Sequence, residues 1–331
     1  MKYALSIGLL WAGLVTASVP TFSTRLAHVD MFGHDYVRIE DWARQNGGEA
    51  RWMVPKQEIR VTLPVGVLTF TVDSRKAMVK GTHVWLSYPV ALKNGSAHLG
   101  ALDLATTLHP LLFPARYAKQ NPIRRIVLDP GHGGRDPGNK EGVRMEKIYT
   151  LSFAREVADL LTKAGFKVTL TRNNDSFIDL PVRPDLARRR EADLFISLHF
   201  NSADGAGSST VKGTEVFAMT PVRANSTNAG RDQSGAGAGA YPGNRFDAKN
   251  MLLAYQIQKS ITEKTGAEDR GVKRARFWVL RNAEMPAVLV EAAFMTHPTD
   301  SKRIYEPAQR RQTAEAIVEG VLAYKKLAER M

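Results

Sequence analysis

Two histidines and two glutamates occupy the places in this chain where chemistry is easiest to build. His132 lies in Asp129-Pro130-Gly131-His132-Gly133-Gly134, directly after the apolar run Ile126-Val127-Leu128. His199 closes the run Leu194-Phe195-Ile196-Ser197-Leu198, Glu291 closes Ala287-Val288-Leu289-Val290, and Glu146 opens an amphipathic stretch after the His132 loop. Two imidazoles and one carboxylate make a tetrahedral zinc site with one open position, and a second carboxylate beside it can act as a general base in hydrolysis. The chain has no cysteine, so a metal must use His and carboxylate ligands, and a thiolate nucleophile or disulfide framework is excluded. Read as a phosphate loop, Gly131–Gly134 lacks the Gly-Lys-Ser/Thr ending and the spacing of a dinucleotide fingerprint; read alone, it is a tight turn.

Residues so far apart in sequence can meet if the runs before them are strands of one sheet, because sites in open α/β sheets form outside the carboxyl ends of the strands. Short strands are expected at Ile126–Leu128, Lys167–Leu170, Leu194–Leu198 and Ala287–Val290. A helix over 146–164 puts Ile148, Leu151, Ala154, Ala158 and Leu161 on one face and stops at Gly165. Further helices are expected from Asp247 to Lys264, with Leu252, Ile257 and Ile261 inward, and from Ala308 to Arg330, burying Ile317, Val318, Val321 and Leu322. This alternation predicts an α/β fold, a mostly parallel sheet flanked by helices, over residues 119–331. Residues 26–118 read as a separate small α+β module, with strand patterns at Ile59–Leu63, Leu68–Val72 and His83–Leu86 and a proline-punctuated linker from Pro110 to Pro122. The Gly/Ala/Ser/Asn-rich segments 203–210 and 222–245 read as long loops, the second as a mobile rim over the metal cleft.

With 331 residues, 44% of them apolar, the chain can bury one large core or two smaller ones, which excludes a disordered chain. Its net charge of +13 favours an anionic partner. Met1-Lys2, an uncharged run from Tyr3 to Val15 and small residues at Val15-Thr16-Ala17 predict a cleaved signal peptide over 1–17, too short to span a bilayer at roughly 20 residues. The expected location is therefore outside the cytoplasm, in the periplasm or cell envelope, with no stable membrane insertion after cleavage. There the anionic polymers are cell-wall glycans and lipid head groups, not nucleic acid.

From Arg124 onward the sequence resembles the zinc-dependent N-acetylmuramoyl-L-alanine amidases of the type-3 family, enzymes that cut peptidoglycan between the muramic acid lactyl group and the first L-alanine of the stem peptide. The blocks that carry the resemblance are Asp129-Pro130-Gly131-His132-Gly133-Gly134, Glu146-Lys147, Thr171-Arg172, Ser197-Leu198-His199-Phe200-Asn201, Asp269-Arg270-Gly271-Val272-Lys273 and Val290-Glu291-Ala292-Ala293-Phe294. It implies one zinc per chain held by His132, Glu146 and His199, with Glu291 as the catalytic carboxylate and Glu141 the rival for the second ligand. Asp129 reads as a partner of a ligand imidazole, Asn201 as a substrate contact, and Arg172 and Arg183 either as bidentate contacts to substrate carboxylates or as structural ion pairs. The family usually has Gly where this chain has Ala293, and Ser-Asn where it has Thr296-His297; His297 reads as a surface residue. Some relatives carry an inhibitory helix between the last histidine and the catalytic glutamate. Here that insert has Asp232 as its only acid, and a helix through its glycines would cost about 1 kcal/mol per glycine, so no inhibitory plug is expected.

The amino-terminal module, through Phe32-Gly33-His34-Asp35-Tyr36-Val37, Asn46-Gly47-Gly48 and Val84-Trp85-Leu86, resembles the small domain that opens copper amine oxidases and bacterial cell-surface proteins. It carries no catalytic residues; wall or partner binding is the expectation, Trp42, Trp52 and Trp85 read as core rather than sugar-stacking residues, and the need for a protein activator stays open. Two other functions share parts of this pattern. A zinc hydrolase of another wall amide, a carboxypeptidase or deacetylase, shares the metal residues, and a non-catalytic wall-binding protein shares the fold but has no use for Glu291.

Overall fold

The computed structural model describes residues 26–117, 122–205, 209–227 and 239–329; the expected signal peptide and the centre of the Gly/Ala-rich insert, 228–238, lie outside them. The first segment runs β1 (His28–Met31), β2 (His34–Arg38), α1 (Ile39–Gln45), β3 (Glu49–Val54), β4 (Glu58–Leu63), β5 (Gly66–Thr71), β6 (Lys76–Val79), β7 (Thr82–Trp85), β8 (Ala91–Lys93), β9 (Ser96–Gly100), α2 (Ala101–Asp103) and α3 (His109–Leu112). The second runs β10 (Arg125–Pro130), β11 (Lys140–Glu141), β12 (Arg144–Met145), α4 (Glu146–Lys163), β13 (Lys167–Leu170), α5 (Val182–Arg189), β14 (Leu194–Asn201) and β15 (Thr214–Met219). It closes with α6 (Asp247–Thr265), β16 (Asp269–Ala275), α7 (Trp278–Arg281), β17 (Ala287–Phe294), α8 (Pro298–Tyr305) and α9 (Pro307–Glu329).

Eleven strands share one sheet in the order β13-β10-β14-β17-β15-β16-β7-β6-β5-β4-β3. β13, β10, β14 and β17 are parallel, and β15 turns antiparallel to β17 while β16 runs parallel to β15. The α/β reading therefore holds, with one antiparallel step in an otherwise parallel run. Strands covered on both faces must be apolar nearly throughout, which is why Ala287–Val290 is a continuous apolar run and Leu194–Leu198 is broken only by Ser197, rather than alternating. On one face α4, α6 and α9 pack together and against the sheet. The core beneath them joins Trp42, Leu68 and Phe70 of the first segment to Phe153, Ile196, Val290 and Ile317 of the second. The other face buries Val127, Phe195, Phe217 and Leu289 with Val279 and Leu280.

The amino-terminal strands thus extend the second segment's sheet as an antiparallel meander, joined where Val84 pairs with Val272. The expected linker is also structured: Pro110, Leu111 and Leu112 are buried in α3, where a proline in the first turn costs no hydrogen bond. Residues 118–121 lie outside the description. Helix α4 ends as expected before Gly165, which takes φ +91°. Its buried face is rotated from the expected one, running through Thr150, Phe153, Ala154, Val157 and Leu161 and leaving Ile148 exposed. Leu322 is likewise exposed at 39%, one position past buried Val321.

The centre of the insert expected as a rim, residues 228–238, lies outside the described residues, and strand direction fixes only where its flanks stand. Because β15 is antiparallel to β17, with Glu215 opposite Glu291, the chain leaves β15 at the edge of the sheet remote from Glu291. Residues on both sides of the insert are tied down at that edge: Arg276 donates to the Ala224 carbonyl at 2.6 Å, Arg75 to that of Asn225 at 3.0 Å, and Gly243 packs against the backbone of Leu280.

Candidate active site

The sheet delivers His199 and Glu291 as direct neighbours, since the two pair in register at the carboxyl ends of parallel β14 and β17. His132 enters from the loop after β10, at φ +62°, a left-handed conformation that costs strain in a residue with a Cβ and is held by the loop around it. Glu146 comes from the first turn of α4 and is the bridge between the rings. Its Oε2 lies 3.0 Å from His132 Nε2 and its Oε1 3.0 Å from His199 Nδ1. Ligand atoms of these three residues fall within 4.8 Å of one another. Tetrahedral ligands at bonds of about 2.0–2.1 Å stand about 3.3 Å apart, so the donor set fits a divalent cation. The rival Glu141 is exposed on β11, away from this group.

The surroundings of the group are built for close approach. A Cβ on Gly131 would lie 2.2 Å from His199 Cε1, and one on Gly138 would lie 2.6 Å from both Glu146 Oε2 and His132 Cδ2. Backbone amides of Asn139 and Phe200 donate to the two Glu146 oxygens at 2.9 and 3.1 Å. Glu146 is 1% exposed while the His132 and His199 side chains are 22% and 17% exposed, so the imidazoles form the mouth and the carboxylate the floor. Burial raises the carboxyl pKa of Glu146, but the two imidazoles outweigh it and hold the group well below the usual carboxylate range.

Glu291 has the opposite electrostatics. Burial and the neighbouring Glu146 and Glu215 carboxylates push its carboxyl well above the usual range, with the Lys273 ammonium pulling it back. Its Oε2 is buried without a hydrogen-bond partner. An orphaned carboxylate oxygen is expensive unless a ligand or water satisfies it, and Glu291 stands in register beside His199 of the one group among the described residues that can hold a cation.

Several expected roles change. Asp129 touches no imidazole: it accepts from Thr171 Oγ1 at 2.6 Å, Ser197 Oγ at 2.9 Å and Arg183 at 2.9 Å, locking β10 to its neighbours. The imidazole partner is Asp136, whose Oδ2 lies 2.8 Å from His132 Nδ1 and whose Oδ1 accepts from the Gly138 amide at 3.0 Å. Sequence reasoning passed over Asp136; its spacing of four from a histidine inside a glycine loop is the signal. Arg172 is 3% exposed and donates to the carbonyls of Pro130, Gly131, Lys147 and Asn174, so it positions the His132 loop and has no face free for a substrate carboxylate. Arg183, 2% exposed, is spent on Asp129 and on the carbonyls of Pro130 and His132. Asn201 is half-buried at the rim, its amide donating to Glu215 Oε1 at 3.0 Å. His297 caps α8 at the surface, accepting from the Thr299 amide.

A family profile described as N-acetylmuramoyl-L-alanine amidase matches residues 126–323. Among curated relatives, N-acetylmuramoyl-L-alanine amidase LytC of Bacillus subtilis is 33% identical over 207 residues, covering 62% of this chain and 36% of its own length. N-acetylmuramoyl-L-alanine amidase AmiC of Neisseria meningitidis is 38% identical over 219 residues, covering 60% of this chain and 52% of its own length. The chain therefore spans about a third to a half of the length of these relatives. The crystal structure of an N-acetylmuramoyl-L-alanine amidase from Clostridium difficile 630 superposes with a TM-score of 0.50 at 31% identity, over 62% of this chain and 97% of that one. The matched span takes in more than half of the residues and all four groups of the cluster, and on that ground the chain belongs to the N-acetylmuramoyl-L-alanine amidase family.

Proposed function

We propose that the protein is a peptidoglycan hydrolase that cleaves the amide between the lactyl group of N-acetylmuramic acid and the L-alanine of the stem peptide. The observation that carries the reading is the convergence of His132, Glu146 and His199 within 4.8 Å, with the unpartnered Glu291 oxygen beside them. His132, Glu146 and His199 would hold the metal, and two nitrogens and one oxygen without sulfur favour zinc. Bound there, zinc supplies a Lewis acid for the scissile carbonyl and lowers the pKa of a water. Glu291 accepts the proton of the attacking water and returns it to the departing alanine nitrogen, so that water and amide become a lactyl carboxylate and a free amine. Asp136 holds His132 in the tautomer whose Nε2 lone pair faces the cluster. Asn201 stands at the rim where a substrate contact is expected.

Net charge +13 suits an anionic wall polymer, and the first 17 residues support export to the periplasm or envelope. Among the described residues no helix is long and apolar enough to cross a membrane. The test is digestion of purified wall with chemical tagging of new amines. Tagged L-alanine supports the reading, whereas release of D-alanine or acetate would replace it with a carboxypeptidase or deacetylase. No cutting at full zinc loading would leave a binding protein or an enzyme awaiting an activator. Sequencing the amino terminus of the secreted protein tests the cleavage after residue 17.

A further inference from the structure

β16 is the strand on which the two halves of the chain meet, and it carries two cations next to the proposed base. Arg270 Nε lies 2.7 Å and Lys273 Nζ 2.5 Å from the same oxygen, Glu215 Oε2. Glu215 is 2% exposed and stands directly opposite Glu291 in the β15–β17 register. Its other oxygen accepts from Asn201, two residues past His199. Glu215 is thus the link between Arg270, Lys273 and the mouth of the cluster, and it stays in place only as well as β16 does.

The amino-terminal segment fixes β16. The His83 amide donates to Asp269 Oδ2 at 2.7 Å, and Gly271, at φ +88°, lets the strands close to where a Cβ would meet the His83 carbonyl at 2.9 Å. Trp85 makes two contacts at once. Its indole N–H donates to the Arg270 carbonyl at 3.0 Å, and its ring centroid lies 5.8 Å from Lys273 Nζ, inside the range where a ring face attracts an ammonium. Phe217 lies at the same distance from that ammonium, so Lys273, only 5% exposed, sits between two rings with its charge aimed at Glu215.

We propose that Trp85, contributed by the amino-terminal segment, is a positioning residue for the active site: it holds the Arg270 backbone and the Lys273 ammonium so that both fix Glu215 beside Glu291. The proposal rests on the amidase reading for the reaction it affects, but its geometry is testable without it. The full chain is compared with W85L, W85F, K273M and the W85L/K273M double variant, with zinc content and melting temperature measured on each. Residues in one network lose activity non-additively, so W85L and K273M each lower kcat on soluble wall fragments about tenfold at unchanged KM and zinc content, and the double variant falls no further than the worse single one. W85F keeps the ring and loses only the N–H, and falls between wild type and W85L. Losses that multiply, or wild-type turnover in W85L, overturn the proposal. By NMR, the Trp85 indole proton exchanges slowly with solvent and W85L shifts the Lys273 13Cε resonance. Fast exchange or an unshifted resonance overturns the proposal whatever the wall assay gives, whereas intact NMR signatures in a wild type that cuts no wall count only against the amidase reading.

Discussion

Asp136→Ala is the sharpest probe of how the metal group is held. The substitution removes the acceptor 2.8 Å from His132 Nδ1 and the one 3.0 Å from the Gly138 amide, and replaces no proposed ligand. His132 then keeps neither its tautomer nor its ring orientation, and removing such a partner typically weakens metal binding by about 10–100-fold. That corresponds to about 1.4–2.8 kcal/mol. The pH dependence carries a sign of its own. Burial lowers the His132 pKa, but Glu146 and Asp136 together outweigh it and raise it above the ordinary value. A ligand imidazole must be deprotonated, so metal affinity is lost as pH falls through that raised pKa. Without Asp136 one of the raising interactions is gone, and the loss occurs at lower pH even though affinity at pH 8 is weaker. Competition against a zinc-chelating dye across pH 5–8 reads both effects, with circular dichroism confirming the fold. Affinity at pH 8 within threefold of wild type, with an unmoved midpoint, would refute the assignment of Asp136.

Glu291→Gln retains one zinc and the wild-type melting temperature but loses about 10²–10⁴ in turnover on wall fragments; loss of the metal instead makes Glu291 a ligand. Gly131→Ala drives a Cβ to 2.2 Å from His199 Cε1 and lowers zinc stoichiometry, while Gly142→Ala, with nothing within 4 Å and φ +58°, costs about 1–2 kcal/mol of stability and keeps the metal. Equal zinc loss in both variants shows that the close approach at Gly131 is not the cause. Deleting residues 228–238, whose neighbours leave the sheet at the edge remote from Glu291, changes turnover on soluble fragments by no more than about twofold by the additivity expected of distant sites. A large rise would show that the insert blocks the site.

The cluster was legible in the sequence because its parts follow a rule of sheets: His199 and Glu291 each close an apolar run, and such runs end on the same side of a parallel sheet. Residue type identified Arg172 and Asp129 as important but could not tell a guanidinium buried among carbonyls from one open to substrate, since that depends on loops from three elements meeting. β15 was not among the expected strands, and its direction is hidden for a similar reason, because a strand's sequence carries no mark of whether its neighbour runs with it or against it. The seam between Val84 and Val272 was least accessible of all, as neither residue differs in type from any other valine in a strand.

That seam changes what can be cut from the chain. The family profile begins at residue 126, yet the sheet and core continue back through β7 to β3. A fragment starting at the boundary suggested by homology would present β16 as a bare sheet edge, with the Arg270 carbonyl deprived of its donor. Unpaired edges recruit strands from other molecules, so such a fragment is expected to self-associate before it misbehaves in any assay. The unit shared with relatives and the unit that completes this sheet are different lengths of chain.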